Sequence, residues 1–175
     1  MIRALTLALL IAIAAPLKAQ EATSEPPMTP ERLISILTAL DAEATPTGSG
    51  IGLTIADVPV LVVFDPNANR MRAMVPIASA SSLTPEDLTR MMQANFDSAL
   101  DARYAVANDR LWSVYIHPLS QLERDQLISG LAQTVTLAQT YGTFYASGAT
   151  LFGSGDSAQL HSELVEELME RGQEL

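Results

Sequence analysis

The chain has 175 residues, a formal net charge of −10 and no cysteine. That length fits one domain, and 48% hydrophobic against 17% charged residues is enough apolar material for a packed core. The acidity excludes nucleic-acid binding by counterion release and a hold on anionic lipid headgroups; the missing cysteine excludes a lipoprotein anchor, thiol chemistry and cysteine-ligated zinc.

Residues 1–19 place Arg3 before an Ala/Leu/Ile run and end on Leu17-Lys18-Ala19. This is the pattern of a secretory signal peptide cut after Ala19, and the run is short for a bilayer span of about 20 residues. Cleavage would remove Arg3 and Lys18 and take the net charge from −10 to −12, leaving arginine as the only basic residue besides histidine. No stable membrane anchor is then expected, and the protein is expected to be periplasmic or secreted. Residues 20–28 read as a flexible leader, being polar and proline-containing.

Thr29-Pro30-Glu31 is a helix start, with threonine as N-cap and proline at the first helical position. The stripe Leu33, Ile36, Leu37, Leu40 predicts a helix to about Ala44. Ile51, Leu53 and Ile55 alternate with small residues, which predicts a half-buried strand. Val58 to Phe64 is an almost unbroken apolar run and reads as a central strand covered on both faces. Asp65-Pro66-Asn67-Ala68-Asn69 is a turn, and Arg70 to Ile77 a third strand with Met71, Ala73 and Val75 on one face.

A second helix is predicted from Pro85 to Asp101, with the stripe Leu88, Met91, Met92, Phe96, Ala99, Leu100 and Asn95 inside it. Arg103–Ala107 and Arg110–His117 form a hairpin around Asn108-Asp109, residues that accept positive φ. Trp112, Val114 and Ile116 share a face and are expected to point into the core. Ser120 and Glu123 have the spacing of a capping box, opening a helix with Leu127, Ile128, Leu131, Val135 and Ala138. Gly142 is a C-cap candidate. A tail helix begins near Asp156, with Leu160, Leu164 and Leu168 on one stripe among glutamates.

The segment Thr84 to Gly142 carries a motif series. Met91-Met92-Gln93-Ala94-Asn95 closes a helix, and Ala102-Arg103-Tyr104 opens a strand. Asn108-Asp109 turns it, Leu111-Trp112 starts the return, and Pro118-Leu119 is the exit. In this order it resembles the type III secretion chaperone-like superfamily, meaning the Tir-chaperone (CesT-like) and YbjN-type proteins. The motifs cover about 60 residues, and element order extends the resemblance back to Thr29. It implies an α+β domain over residues 29–142: a twisted antiparallel sheet of about five strands packed with helices, in the order helix, three strands, helix, two strands, helix. Residues 143–175 are then a C-terminal extension ending in an amphipathic helix. The resemblance also implies a binding role rather than catalysis, with a protein client or a second copy as partner. The export signal sets the chain apart from those chaperones, which act in the cytoplasm.

Residue types that carry chemistry are sparse. His117 and His161 lack the spacing of a metal pair. Asp65 opens like a calcium loop, but Arg70 stands where the turn glycine belongs and Pro76 where the bidentate glutamate belongs. Gly48-Ser49-Gly50-Ile51-Gly52 leads into a strand rather than a helix, so it is no phosphate loop. No catalytic, cofactor or metal residue is assigned. Asn95 in an apolar stripe must find partners or cost about 1–3 kcal/mol, and is read as fixing its helix to the hairpin backbone.

The surplus is apolar. Leu61 and Val63 oppose Val60, Val62 and Phe64, while Leu111 and Tyr115 oppose Trp112, Val114 and Ile116. Helices on one sheet face leave one set on the other, so Leu61, Val63, Leu111 and Tyr115 form a candidate interaction patch, to be covered by the tail, a second copy or a client. Neutral or basic proteins are the easier partners for so acidic a chain. The function read from the sequence is a non-enzymatic protein-binding or chaperone-like protein of the cell envelope. The alternative is a receptor for a small anionic ligand, or an enzyme, using Arg70, Arg72, Arg103 and carboxylates.

Overall fold

The computed structural model describes residues 25–48, 50–97, 99–141 and 156–172. The signal segment, and the first residues of the leader, lie outside them. The α+β expectation holds, with one strand more than the five counted: α1 (Pro30–Leu40), β1 (Thr45–Thr47), β2 (Gly50–Ile55), β3 (Val58–Asp65), β4 (Arg70–Ser79), α2 (Pro85–Asp97), β5 (Arg103–Ala107), β6 (Arg110–Pro118), α3 (Arg124–Gln139) and α4 (Asp156–Gly172). The added strand β1 contains Pro46, and it can do so because it is the sheet edge.

The sheet is antiparallel throughout, in the order β1-β2-β3-β4-β6-β5. Two of its turns are two-residue hairpins with both residues at positive φ: Ala56-Asp57 at 47° and 62°, Asn108-Asp109 at 52° and 55°. That twist matches the twist of the strands they join. The β3–β4 turn is held by Asp65, whose Oδ1 accepts from the amides of Asn67 and Ala68. Asn69 closes it at φ 50° and ties it to the start of α3, accepting from Ser120 N and donating to Gln121 Oε1.

Alternation gives the sheet an inner and an outer face. The inner row Ile51, Val62, Ala73, Tyr115 runs across four strands, beside Leu53 with Val60 and Val75 with Ser113 and Tyr104, and all of these are buried. Helix α3 crosses this face over β4 and β6, and α1 covers β2. Gly130 is where α3 comes closest. A Cβ there would stand 2.5 Å from Cε1 of Tyr115, so the helix can lie on the tyrosine ring only without a side chain. α3 is buried without a break from Gly130 to Leu137 because the sheet lies on one side and α4 on another.

The tail helix therefore joins the helix layer. α4 packs on α3 and α1, burying Leu164 and Leu168, and Arg171 donates to the Leu40 carbonyl at 3.3 Å. His161, expected to be solvated, is half-buried, and that burial lowers its pKa. Of the leader, Met28 is buried and its amide donates to Ser120 O at 3.3 Å.

α2 ends at Asp97 rather than Asp101, and three further features differ from expectation. The N-cap of α3 is Glu123, with Gln126 completing the capping box, three residues later than Ser120 and Glu123 suggested. Leu119 and Leu122 explain the shift: both are buried, and the connection first has to carry them into the core. α1 stops at Leu40, with Asp41 accepting from Glu43 N and Thr54 N. β3 is central in pairing, but it is not covered on both faces: Val60 and Val62 are buried, Leu61 and Val63 only half-buried.

Candidate functional site

The proposed patch does not form one surface. Leu61 and Val63 lie on the outer face. Leu111 and Tyr115 lie on the inner face with 0% and 5% exposure, as core residues under α3. Trp112, Val114 and Ile116, expected in the core, are the outward set, and Ile116 is 53% exposed. The phase of β6 is inverted because both of its faces are apolar, so alternation alone does not choose between them. Tyr115 settles into the glycine gap of α3, and burial followed by the charge of Asp101 pushes its hydroxyl pKa up to about 12. It is therefore neither an acid nor a base near neutral pH.

The outer face is a continuous apolar field. One row across it is Leu61, Met74, Val114; the next is Val63, Arg72, Ile116; a third is Pro76 and Trp112. All of these remain at least partly exposed. Arginines stand within it and at its margin. Arg70 and Arg72 line a shallow cleft of about 570 Å³ with Val63, Phe64, Asp65 and Ile116. Arg103 sits beside Val114 and donates to the carbonyls of Leu100 and Ala102. The Arg110 guanidinium lies 6.0 Å from the Trp112 ring centroid, whose Nε1 donates to Ala107 O.

A second exposed stripe lies on α2. The expected single stripe splits: Met91 and Ala94 are buried, while Leu88, Met92 and Phe96, one turn apart, face outward, Phe96 at 81% exposure. Leu100, past the end of α2, is also exposed. α2 rests on the sheet at β5 alone among the strands it packs against closely, so one side of a two-sided apolar helix is left open.

Asn95 does what its setting required. Its Oδ1 accepts from Tyr104 N at 2.8 Å and its Nδ2 donates to Tyr104 O at 3.1 Å. The amide thus pairs with the outer edge of β5 as a neighbouring strand would. Gln133 has a matching role that its place in α3 did not advertise. Its Oε1 accepts from the amides of Asp101 and Ala102, and its Nε2 donates to Asp101 Oδ2 and Ser129 Oγ. The only sequence signal was a polar residue inside an apolar helix.

Catalytic geometry is thin. Among the described residues no group of three histidines, cysteines, aspartates or glutamates could hold a metal ion. His117 Nδ1 lies 2.8 Å from the carbonyl of Pro118. Of the carboxylates suggested to join the arginines, only Asp65 lines their cleft, and its Oδ1 is engaged in the turn.

The fold is similar to two solved structures. One is a chain of the crystal structure of the Yersinia pestis type III secretion chaperone SycH in complex with a stable fragment of YscM2, at 19% identity and TM-score 0.47. The match covers 62% of this chain and 98% of that one. The other is a chain of the HopA1–SchA chaperone–effector complex, at 10% identity and TM-score 0.46, covering 62% of this chain and 91% of that one. No protein-family model matches the chain, and no curated protein matches it.

Proposed function

We propose that this is a non-enzymatic, chaperone-like protein of the bacterial cell envelope that holds a protein client on the outer face of its sheet. The observation that carries the reading is the apolar field Leu61, Val63, Met74, Trp112, Val114, Ile116, left at least partly exposed in a domain whose core is complete beneath it. A contiguous field of this kind marks an interaction site in a folded domain. The export pattern of residues 1–19 supports the envelope as its place of work. The motif resemblance supports binding over catalysis.

The test is a holding assay. The full-length protein should suppress light scattering by a chemically unfolded model protein. Val114→Ser with Ile116→Ser should abolish the suppression while leaving the melting midpoint within a few degrees, since both side chains are partly or fully exposed. Suppression that survives the double substitution would remove the outer face from the reading. No suppression by the native protein would remove the reading itself.

A second copy is the better partner for α2. Two chains of charge −10 repel each other, so a contact between copies belongs where the local surface is uncharged. The stripe Leu88, Met92, Phe96 is such a place.

A further inference from the structure

The charge of the whole molecule and the charge of its apolar face have opposite signs. The helices carry half of the 20 carboxylates: Glu31 on α1, Glu86, Asp87 and Asp97 on α2, Asp125 on α3, and Asp156, Glu163, Glu166, Glu167 and Glu170 on α4. The charged residues of the six strands are Arg70, Arg72, Arg103 and Arg110, with Asp65 as the single carboxylate. All four arginines are exposed. Register puts Arg72 between Val63 and Ile116, and Arg103 beside Val114, so these two stand inside the outer field. Arg70 shares the cleft with Arg72. Of the other described arginines, Arg32 pairs with Glu25, Arg124 with Asp125 and Arg171 with Glu167, while Arg90 lies exposed on α2. None of the four on the sheet is in an ion pair among the described residues. At contact distance the local charge governs, because salt screens interactions beyond about 8–10 Å.

We propose that the outer face selects an acidic client: a protein segment in which apolar side chains are interspersed with aspartate or glutamate. Its apolar groups lie on Val63, Met74, Trp112, Val114 and Ile116, and its carboxylates take paired hydrogen bonds from the guanidinium groups of Arg70 and Arg72. This rests on the protein-binding reading above and adds the class of client. It runs against the expectation from net charge, which favoured basic or neutral partners. A basic segment would be drawn to the molecule as a whole, yet on the apolar field it would meet like charge.

Two fluorescein-labelled peptides test it, one built from leucine, serine and glutamate, the other with lysine in place of each glutamate. Anisotropy with the full-length protein at low salt should show the acidic peptide binding about tenfold more tightly, and the gap should close in about 1 M NaCl. Arg70→Glu with Arg72→Glu should reverse the preference, and Arg70→Gln with Arg72→Gln should remove it. Arg90→Glu, on the exposed surface of α2, should leave it unchanged. Equal binding of the two peptides, or a preference for the basic one, overturns the acidic-client proposal while a positive holding assay keeps the protein-binding reading. Failure of both peptides to bind, together with no suppression of scattering, overturns both. A dimer that Ile116→Glu converts to a monomer assigns the face to a second copy and also overturns the proposal.

Discussion

Leu111 and Trp112 are neighbours on one strand with opposite fates. Leu111 is fully buried, whereas Trp112 is half-buried on the outer face with its indole N–H satisfied by Ala107. Leu111→Ala should cost about 2–5 kcal/mol, as for truncation in a closed core. Trp112→Ala should cost clearly less, because the ring leaves no closed cavity behind. Denaturant midpoints of the two variants check this, and equal losses would contradict the face assignment. Asn95 makes a sharper case. Asn95→Ala removes both hydrogen bonds between this side chain and the Tyr104 backbone, at a cost of about 1–3 kcal/mol. The Tyr104 amide should then exchange with solvent faster in hydrogen-exchange NMR.

At the scale of elements, the N-terminal leader acts as a clip across two helices. Glu25 pairs with Arg32 of α1, and its Oε2 accepts from the Arg124 amide at the start of α3 at 3.0 Å. The Arg124 amide is the main cause that holds the Glu25 carboxyl below its ordinary pKa; desolvation, next in size, opposes it, and the hydrogen bond and charge of Arg32 add to the lowering. A carboxyl whose pKa is lower in the folded state stabilises the fold above its unfolded value. That contribution is lost as pH falls through the folded value. Melting curves of the native protein and Glu25→Gln should therefore differ near neutral pH and converge in acid, below the usual carboxylate range. A gap that persists or widens in acid would mean that the clip is not ionic. The fully buried stretch of α3 explains why such a clip matters: its N-terminus sets how the whole helix enters the core.

Among the described residues, two open apolar surfaces remain after folding, the outer sheet face and the α2 stripe. If α2 joins two copies, the full-length protein should sediment as a dimer, and Met92→Glu with Phe96→Glu should yield a folded monomer that still holds client on the sheet. A monomeric native protein would leave α2 without that role.

The chain order of helices and strands was legible in the sequence because each boundary has a local chemical cause. Thr29 and Pro30 start a helix, Asn108-Asp109 accept positive φ, and Pro85 follows its cap Thr84, whose Oγ1 accepts from Asp87 N. The role of Asn95 was legible too, since a polar amide in an apolar stripe has to be satisfied. The side of the sheet that the core would occupy was not legible. On β6 Leu111 and Tyr115 compete with Trp112, Val114 and Ile116, and a period of two offers both sets equally. The contest was decided by α3, which reaches Tyr115 only through the missing side chain of Gly130, a contact between residues far apart in the chain. The same holds for α2, where helical spacing counted Leu88, Met92 and Phe96 as core residues. Burial is a property of what lies opposite, and the tertiary structure puts nothing there among the described residues. Local chemistry therefore determined the elements. Packing between distant elements decided which apolar surface became the core and which was left to recognise another molecule.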